Sequence, residues 1–181
     1  MIKKIINEAL IYLIAAMVIL IDQYTKYLVR LNLLEGQSWD RLSWLMPYAR
    51  VTHVQNTGAA FGMFPQAGLI FTVVAIVVSA VIIYYSFRLP PGLWGMRLVL
   101  GMQLGGALGN LVDRVLFGPV TDFISTTLFH VQMPVFNVAD SSISCGVALM
   151  LLMMLLEGRN KPKPAAPAES EPAELSETPG V

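Results

Sequence analysis

Four apolar runs decide the solvent in which this chain folds. They cover Ile5 to about Val29, Ala67 to Phe87, about Leu93 to Phe117, and Val138 to Leu156. A helix crossing a bilayer needs roughly 20 residues to span about 30 Å of hydrocarbon. The second and fourth runs reach that length on apolar residues alone, whereas the first and third do not. The densest part of the first is Ala9 to Ile21, so its helix must continue through "DQYTKYLV". Likewise "LVLGMQLGGAL" must continue through "GNLVDRVLF". Length arithmetic therefore holds Asp22, Lys26, Asn110, Asp113 and Arg114 at membrane depth. The chain of 181 residues is 55% hydrophobic and only 13% charged, against about a quarter charged in a soluble domain. A single helical membrane domain with four crossings is expected.

The first run is read as an uncleaved anchor, because its apolar core leads into DxxTK and not into a small-residue cleavage pattern. Basic residues suggest the orientation. Lys3, Lys4, Arg88, Arg97, Arg159, Lys161 and Lys163 would share the cytoplasmic side, leaving Lys26, Arg30, Arg41, Arg50 and Arg114 opposite. That bias follows the positive-inside tendency and puts both ends in the cytoplasm. The segment 158–181, rich in Pro, Ala and Glu, has too little apolar surface to fold and is expected to be a disordered cytoplasmic tail.

On the opposite side lie two outer segments, about 31–66 and 118–134. Their short alternating stretches, "YARVTHVQNTGAAFGMF" and "GPVTDFISTTLFHVQM", predict a small sheet on the membrane surface. Trp39, Trp44 and Tyr48 suit the headgroup layer. The polar residues of the spans gather on this same side. Asp22 and Lys26 are spaced i,i+4 and can pair. Asn110 with Asp113, and Asn137 with Asp140, share faces by i,i+3 spacing, and Asn137 can cap the fourth helix. Ionisable groups at membrane depth are expensive and default to a functional reading. Gly101, Gly105 and Gly109, four apart, make a flat ridge for close helix packing. They could alternatively line a groove for an apolar peptide.

Other candidates read as structural. Cys145 is expected to be a buried, inert thiol, and a single cysteine allows no internal disulfide. His53 and His130 lack paired-ligand spacing, so no metal or other cofactor is expected. Ser141 and Ser142 sit in no nucleophile elbow. Zero formal net charge gives no reason to expect nucleic acid. A small ion- or solute-conducting protein is the rival reading, but it predicts charges distributed through the membrane depth and not gathered at one edge.

Five motifs, "DQYTK" (22–26), "NTGAAF" (56–61), "GGALGNLVDR" (105–114), "VTDF" (120–123) and "FNVAD" (136–140), closely resemble the ordered motif set of bacterial lipoprotein signal peptidase, or signal peptidase II. The resemblance covers about residues 10 to 157. It implies four transmembrane helices with a small periplasmic β-sheet and a surface helix or loop, in residues 1–157. It also implies an intramembrane aspartyl endopeptidase of the bacterial inner membrane. Its substrate would be a diacylglyceryl-prolipoprotein, cut on the amino side of the lipidated cysteine. By resemblance, Asp122 and Asp140 match the catalytic pair. Asn56, Asn110, Arg114 and Asn137 match polar positions around the site, and Asp22, Lys26 and Asp113 match supporting ones. Membrane lipids are the other expected partner, and the chain is expected to act as a monomer. Thr121 departs from the pattern, standing where many relatives have an aliphatic residue.

Such chemistry is sound without metal, serine or cysteine. Two carboxylates held about 3 Å apart cannot both ionise comfortably, so they share a proton. The ionised partner can take a proton from an attacking water while the protonated one binds the carbonyl oxygen. Which aspartate starts protonated stays open, because such a pair titrates as a unit.

Overall fold

The computed structural model describes residues 2–39, 44, 48–58, 67–129 and 131–159. In chain order the elements are α1 (Ile2–Asn32), β1 (Ser38–Trp39), β2 (Ala49–Asn56), α2 (Gly68–Ser86), α3 (Trp94–Leu116), β3 (Val120–Leu128), β4 (Val131–Gln132) and α4 (Val138–Arg159). Helix α1 does continue through "DQYTKYLV". Its 31 residues rise about 46 Å, enough to carry Asp22, Lys26 and Arg30 past the apolar section. At its far end Val29 and Leu33 pack against Phe123 of β3.

Among the described residues three helices are long and apolar enough to cross a membrane: α1 from Ala9 to Asn32, α2 from Gly68 to Ser86, and α4 from Val138 to Glu157. Helix α3 is not among them, and the reason is packing. It touches α1, α2 and α4, and Arg97, Gly101, Leu104, Gly105, Gly106, Gly109, Asn110 and Asp113 are all buried along it. A helix screened by its neighbours need not be apolar all round. Helix α2 is the converse: Leu69, Ile70, Val73, Ile76 and Val77 are exposed, and only Ala75, Ser79, Ile82 and Ser86 are buried.

The chain is mostly helical with a small antiparallel sheet, as expected. The four strands lie in the order β1-β2-β3-β4, antiparallel throughout. Gly118, with φ of 88°, makes the tight exit from α3 into β3, and the Phe117 and Gly118 N–H groups both bond the Asp113 carbonyl. Phe136 pairs back onto Ile124, so α4 starts beside the strand that carries Asp122. Trp39, Trp44 and Tyr48 are exposed. Residues 40–43, 45–47 and 59–66 of the first outer segment lie outside the described residues, and the expected surface helix or loop is not seen among the described ones. Residues 160–181 also lie outside them, and α4 runs to Arg159, two residues beyond the expected domain boundary.

Two expectations need correction. Cys145 is exposed, not buried: it lies on the outer face of α4, where an apolar surrounding would be lipid. The glycine ridge of α3 is filled by α1. A Cβ on Gly101 would meet Ile14 at 2.7 Å, one on Gly105 would meet Val18 at 2.6 Å, and one on Gly109 would meet Asp22 at 2.9 Å. Among the described residues α1 leaves no room for a peptide along that face; the glycines let two helices touch.

Gly105→Leu should therefore destabilise the fold by about 1–3 kcal/mol or more, because the Ala15 backbone also blocks the space at 2.9 Å. Gly146→Ala, which would meet the Gln103 amide at 3.0 Å and Met102 at an ordinary 3.5 Å, should cost less. Thermal denaturation in detergent checks both, and an unchanged Tm for Gly105→Leu would contradict the packing.

Candidate active site

Helix α4 begins with a reciprocal cap. The Asn137 side-chain oxygen accepts the Asp140 N–H at 3.0 Å, and the Asp140 carboxylate accepts the Asn137 N–H at 3.2 Å. Two otherwise orphaned donors are thereby satisfied. Capping uses only the oxygen of the Asn137 amide, and its nitrogen turns the other way. It donates to Asp122 Oδ1 at 2.6 Å and to Asn110 Oδ1 at 3.1 Å. One fully buried asparagine thus joins the two aspartates.

Each carboxylate holds a second asparagine. Asn110 Nδ2 donates to Asp140 Oδ1 at 2.7 Å, and Asn56 Nδ2 donates to Asp122 Oδ2 at 2.9 Å. Asn56 is itself oriented by the Gly58 N–H, which bonds its oxygen at 3.0 Å. Asp122 is almost wholly buried while Asp140 is only half-buried. Burial first, and then the charge of Asp140, push the Asp122 carboxyl up from 3.8 to about 7; the Asn56 and Asn137 hydrogen bonds and the Lys26 charge oppose the rise.

Beneath this chain lies a second network centred on Lys26. Its ammonium is fully buried and contacts Asp22 Oδ2 at 2.8 Å and Asp113 Oδ2 at 3.3 Å, and it donates to Asn110 Oδ1 at 2.9 Å. The two acids do more than neutralise it. Asp22 Oδ1 accepts the Ala139 N–H at 2.9 Å, and Asp113 Oδ2 accepts the Thr121 N–H at 2.9 Å. Each grips the backbone one residue ahead of Asp140 or Asp122. Arg114 stands at the side, its guanidinium 5.7 Å from the Phe71 ring, within the fields of Asp140, Asp122 and Asp113.

Of the residues singled out from the sequence, Asp122, Asp140, Asn56, Asn110 and Asn137 form one connected chain. Asp22, Lys26 and Asp113 form the other, and Asn110 belongs to both. Sequence reasoning missed three contributors. Gln23 Nε2 donates to Asp22, the Gly109 carbonyl and Asp113 at 3.0–3.1 Å. Arg30 bonds Thr121 Oγ1 at 2.9 Å and lies 3.6 Å from Asp113. Thr121, noted only as a departure, is the acceptor Arg30 uses, which an aliphatic residue could not be. Arg30 was findable: it continues the i,i+4 stripe of Asp22 and Lys26. Nothing in the pattern marks Gln23. His53 is buried against the Leu33 carbonyl; His130 lies outside the described residues. Among the described residues no group of three or more His, Cys, Asp or Glu side chains is placed to hold a metal ion.

The family model described as Signal peptidase (SPase) II matches residues 14–156, a stretch containing every member of both networks. The chain belongs to the signal peptidase II family. It is 42% identical over 154 residues to the lipoprotein signal peptidase of Desulfitobacterium hafniense (strain DSM 10664 / DCB-2), a match covering 85% of this chain and 98% of that one. Against the lipoprotein signal peptidase of Anoxybacillus flavithermus (strain DSM 21510 / WK1) identity is 40%, over 84% and 89% of the two chains. Against that of Staphylococcus aureus (strain MRSA252) it is 34%, over 82% and 90%. A bacterial membrane enzyme solved by the in meso method at 2.3 Å superposes with a TM-score of 0.76 at 32% identity, covering 87% of this chain and 94% of that one. Membership of the signal peptidase II family makes the chain an aspartic-type peptidase and, with its apolar helices, a bacterial membrane protein.

Lys26→Met keeps the length of the side chain but leaves buried Asp22 without its cation and Asp113 with Arg30 alone, at 3.6 Å. Breaking such a cluster costs about 3–5 kcal/mol, so the variant should unfold at distinctly lower temperature in detergent; wild-type Tm would contradict the network. A raised Asp122 means the folded chain holds, between pH 3.8 and about 7, a proton that the unfolded chain releases. Stability from this group is full below that window and lost as pH rises through about 7. Asp122→Asn should therefore remove a fall in Tm that wild type shows between pH 3.8 and about 7, and parallel curves would contradict the assignment.

Proposed function

We propose that Asp122 and Asp140 are the catalytic pair of an intramembrane aspartyl endopeptidase that removes the signal peptide from diacylglyceryl-modified prolipoproteins. The single observation that carries this is the Asn137 amide, whose oxygen caps the Asp140 N–H while its nitrogen binds the Asp122 carboxylate. Cleavage falls on the amino side of the lipidated cysteine. Asp140 is the base: it is the more accessible acid, at a helix N-terminus where the dipole is positive. Asp122, pushed up to about 7 by burial, is the acid.

In the reaction Asp140 takes a proton from a water as its oxygen bonds the scissile carbonyl carbon. Asp122 donates a hydrogen bond, then its proton, to the carbonyl oxygen. The tetrahedral adduct collapses as the C–N bond breaks, with Asp140 returning its proton to the leaving amine and Asp122 recovering its own. Asn56, Asn110 and Asn137 hold the carboxylates in place, Arg114 faces the substrate backbone, and Asp22, Lys26 and Asp113 support the site from below.

All four helices cross the inner membrane, α3 as the central one. Both ends lie in the cytoplasm, residues 1–157 form the peptidase domain, and 158–181 form a tail. The sheet and the dyad lie at the periplasmic face, and the chain acts as a monomer. The clustering of Asp22, Lys26, Asn110, Asp113, Asp122, Asn137 and Asp140 at the sheet end supports this arrangement and leaves an ion-conducting role without a polar path. An active site at that depth lets the diacylglyceryl chains stay in hydrocarbon while the adjoining amide is cut.

Asp122→Asn and Asp140→Asn should each accumulate and yet lose about 10³-fold or more of the cleavage rate on a lipidated prolipoprotein, read by gel shift of the processed form. Full cleavage by either variant would remove the dyad.

A further inference from the structure

Strands β2 and β3 do not advance in step. From Val51 to Asn56, β2 takes five residues, while its partners on β3 run from Ile124 to Val120, four residues; the register shifts between Val51 and Val54. Directly paired residues share a face, and faces alternate along a regular strand. Five steps would put Asn56 on the face opposite to Val51, turned away from Asp122. The extra residue of the β-bulge restores Asn56 to the Asp122 face, where its amide reaches the carboxylate at 2.9 Å. Thr52 and His53 together stand opposite Phe123, whose ring packs against Val29 and Leu33 of α1.

Of the two bulge residues, Thr52 pairs with Ser38 of β1 and shares a hydroxyl hydrogen bond with it at 2.8 Å, and His53 makes three further bonds. Its backbone N–H bonds the Gln37 carbonyl at 3.0 Å, and its carbonyl accepts the Gly36 N–H at 2.8 Å. Its imidazole Nδ1 bonds the Leu33 carbonyl at 2.9 Å. A carbonyl can only accept, so Nδ1 carries the hydrogen. Leu33 follows the last residue of α1, where a helix leaves carbonyls without intrahelical partners, and His53 supplies one of the missing donors. The ring is buried, and its Nε2 finds no partner among the described residues. All of its polar work goes through Nδ1. Helix α1 also carries Lys26 and Arg30, the latter holding Thr121 on β3, so His53 references β2 to the helix that references β3.

We infer that His53 is a positioning residue for catalysis: by fastening the β2 bulge to the end of α1 through Nδ1, it sets the register that aims Asn56 at Asp122. The inference rests on the reading of Asp122 as the catalytic acid. A regular strand would have needed no buried histidine here. A structural role alone would change stability without touching the Asp122 carboxylate, whereas a positioning role changes what surrounds that carboxylate.

The test exploits the geometry of substitutes. Asparagine places an N–H close to the position of Nδ1, glutamine reaches instead toward Nε2, and leucine fills volume without a donor. His53→Leu and His53→Gln should lower kcat/KM for a lipidated prolipoprotein about tenfold, as expected for losing one hydrogen bond in the transition state. Both should also move the alkaline limb of the pH–rate profile upward. The Asn56 bond is one of the influences holding Asp122 down, with Asp140 acting against it and Lys26 beside it. Asn56→Ala should move the limb likewise, and adding His53→Leu to it should move the limb no further. His53→Asn should restore activity to within about threefold of wild type, together with the wild-type limb.

A loss in His53→Leu with an unmoved limb would overturn the inference, as would equal behaviour of the Asn and Gln variants. If His53→Leu fails to accumulate, the Asn–Gln comparison decides. Asp122→Asn assayed alongside separates the two readings: activity there sinks the dyad, whereas an inactive Asp122→Asn beside wild-type His53 variants sinks only the role of His53.

Discussion

A single ammonium group organises this molecule. Lys26 lies fully buried between Asp22 and Asp113, and three charges in an apolar bundle are tolerable only if each is paired and further hydrogen-bonded. That requirement is met by the backbone that leads to Asp122 and Asp140. Asp22 takes the Ala139 N–H and Asp113 takes the Thr121 N–H, while the third Lys26 contact, Asn110, takes hold of Asp140. Satisfying one buried cation therefore locks α1, α3, β3 and α4 together at the point where two acids have to meet. The cost of burying charge and the precision of the active site are one and the same constraint.

Above that network the chemistry is set by unequal surroundings. Both aspartates accept from asparagines, but Asp122 is enclosed by the sheet while Asp140 keeps access to the surface at the head of α4. Burial raises the Asp122 carboxyl, and unequal surroundings of this kind are how one fold can supply an acid and a base to the same bond. Asparagine is the apt linker. It is neutral at every relevant pH, and it offers one acceptor and one donor side, so Asn137 can cap a helix and hold a carboxylate at once.

Much of this was legible in the sequence. Length arithmetic required α1 and α3 to carry their polar residues to the membrane edge, and the i,i+3 and i,i+4 spacings put Asp22 with Lys26 and Asn137 with Asp140. What escaped depends on pairing across distance. The β2 bulge is invisible without its partner strand, and Gln23 acts through Gly109 and Asp113, 86 and 90 residues away. The glycines of α3 announced a close contact but not its partner, and α1 fills the space that a peptide was given. Cys145 was misplaced because an apolar neighbourhood in sequence says nothing about which face of a helix meets lipid.

The central claim is that Asp122 and Asp140 act on one water and one carbonyl. An experimental structure with a peptide analogue bearing a secondary hydroxyl in place of the scissile carbonyl tests it most directly. The account predicts that the hydroxyl oxygen lies within about 3 Å of a carboxylate oxygen from each aspartate. A hydroxyl bound by only one of them, or by neither, would contradict it.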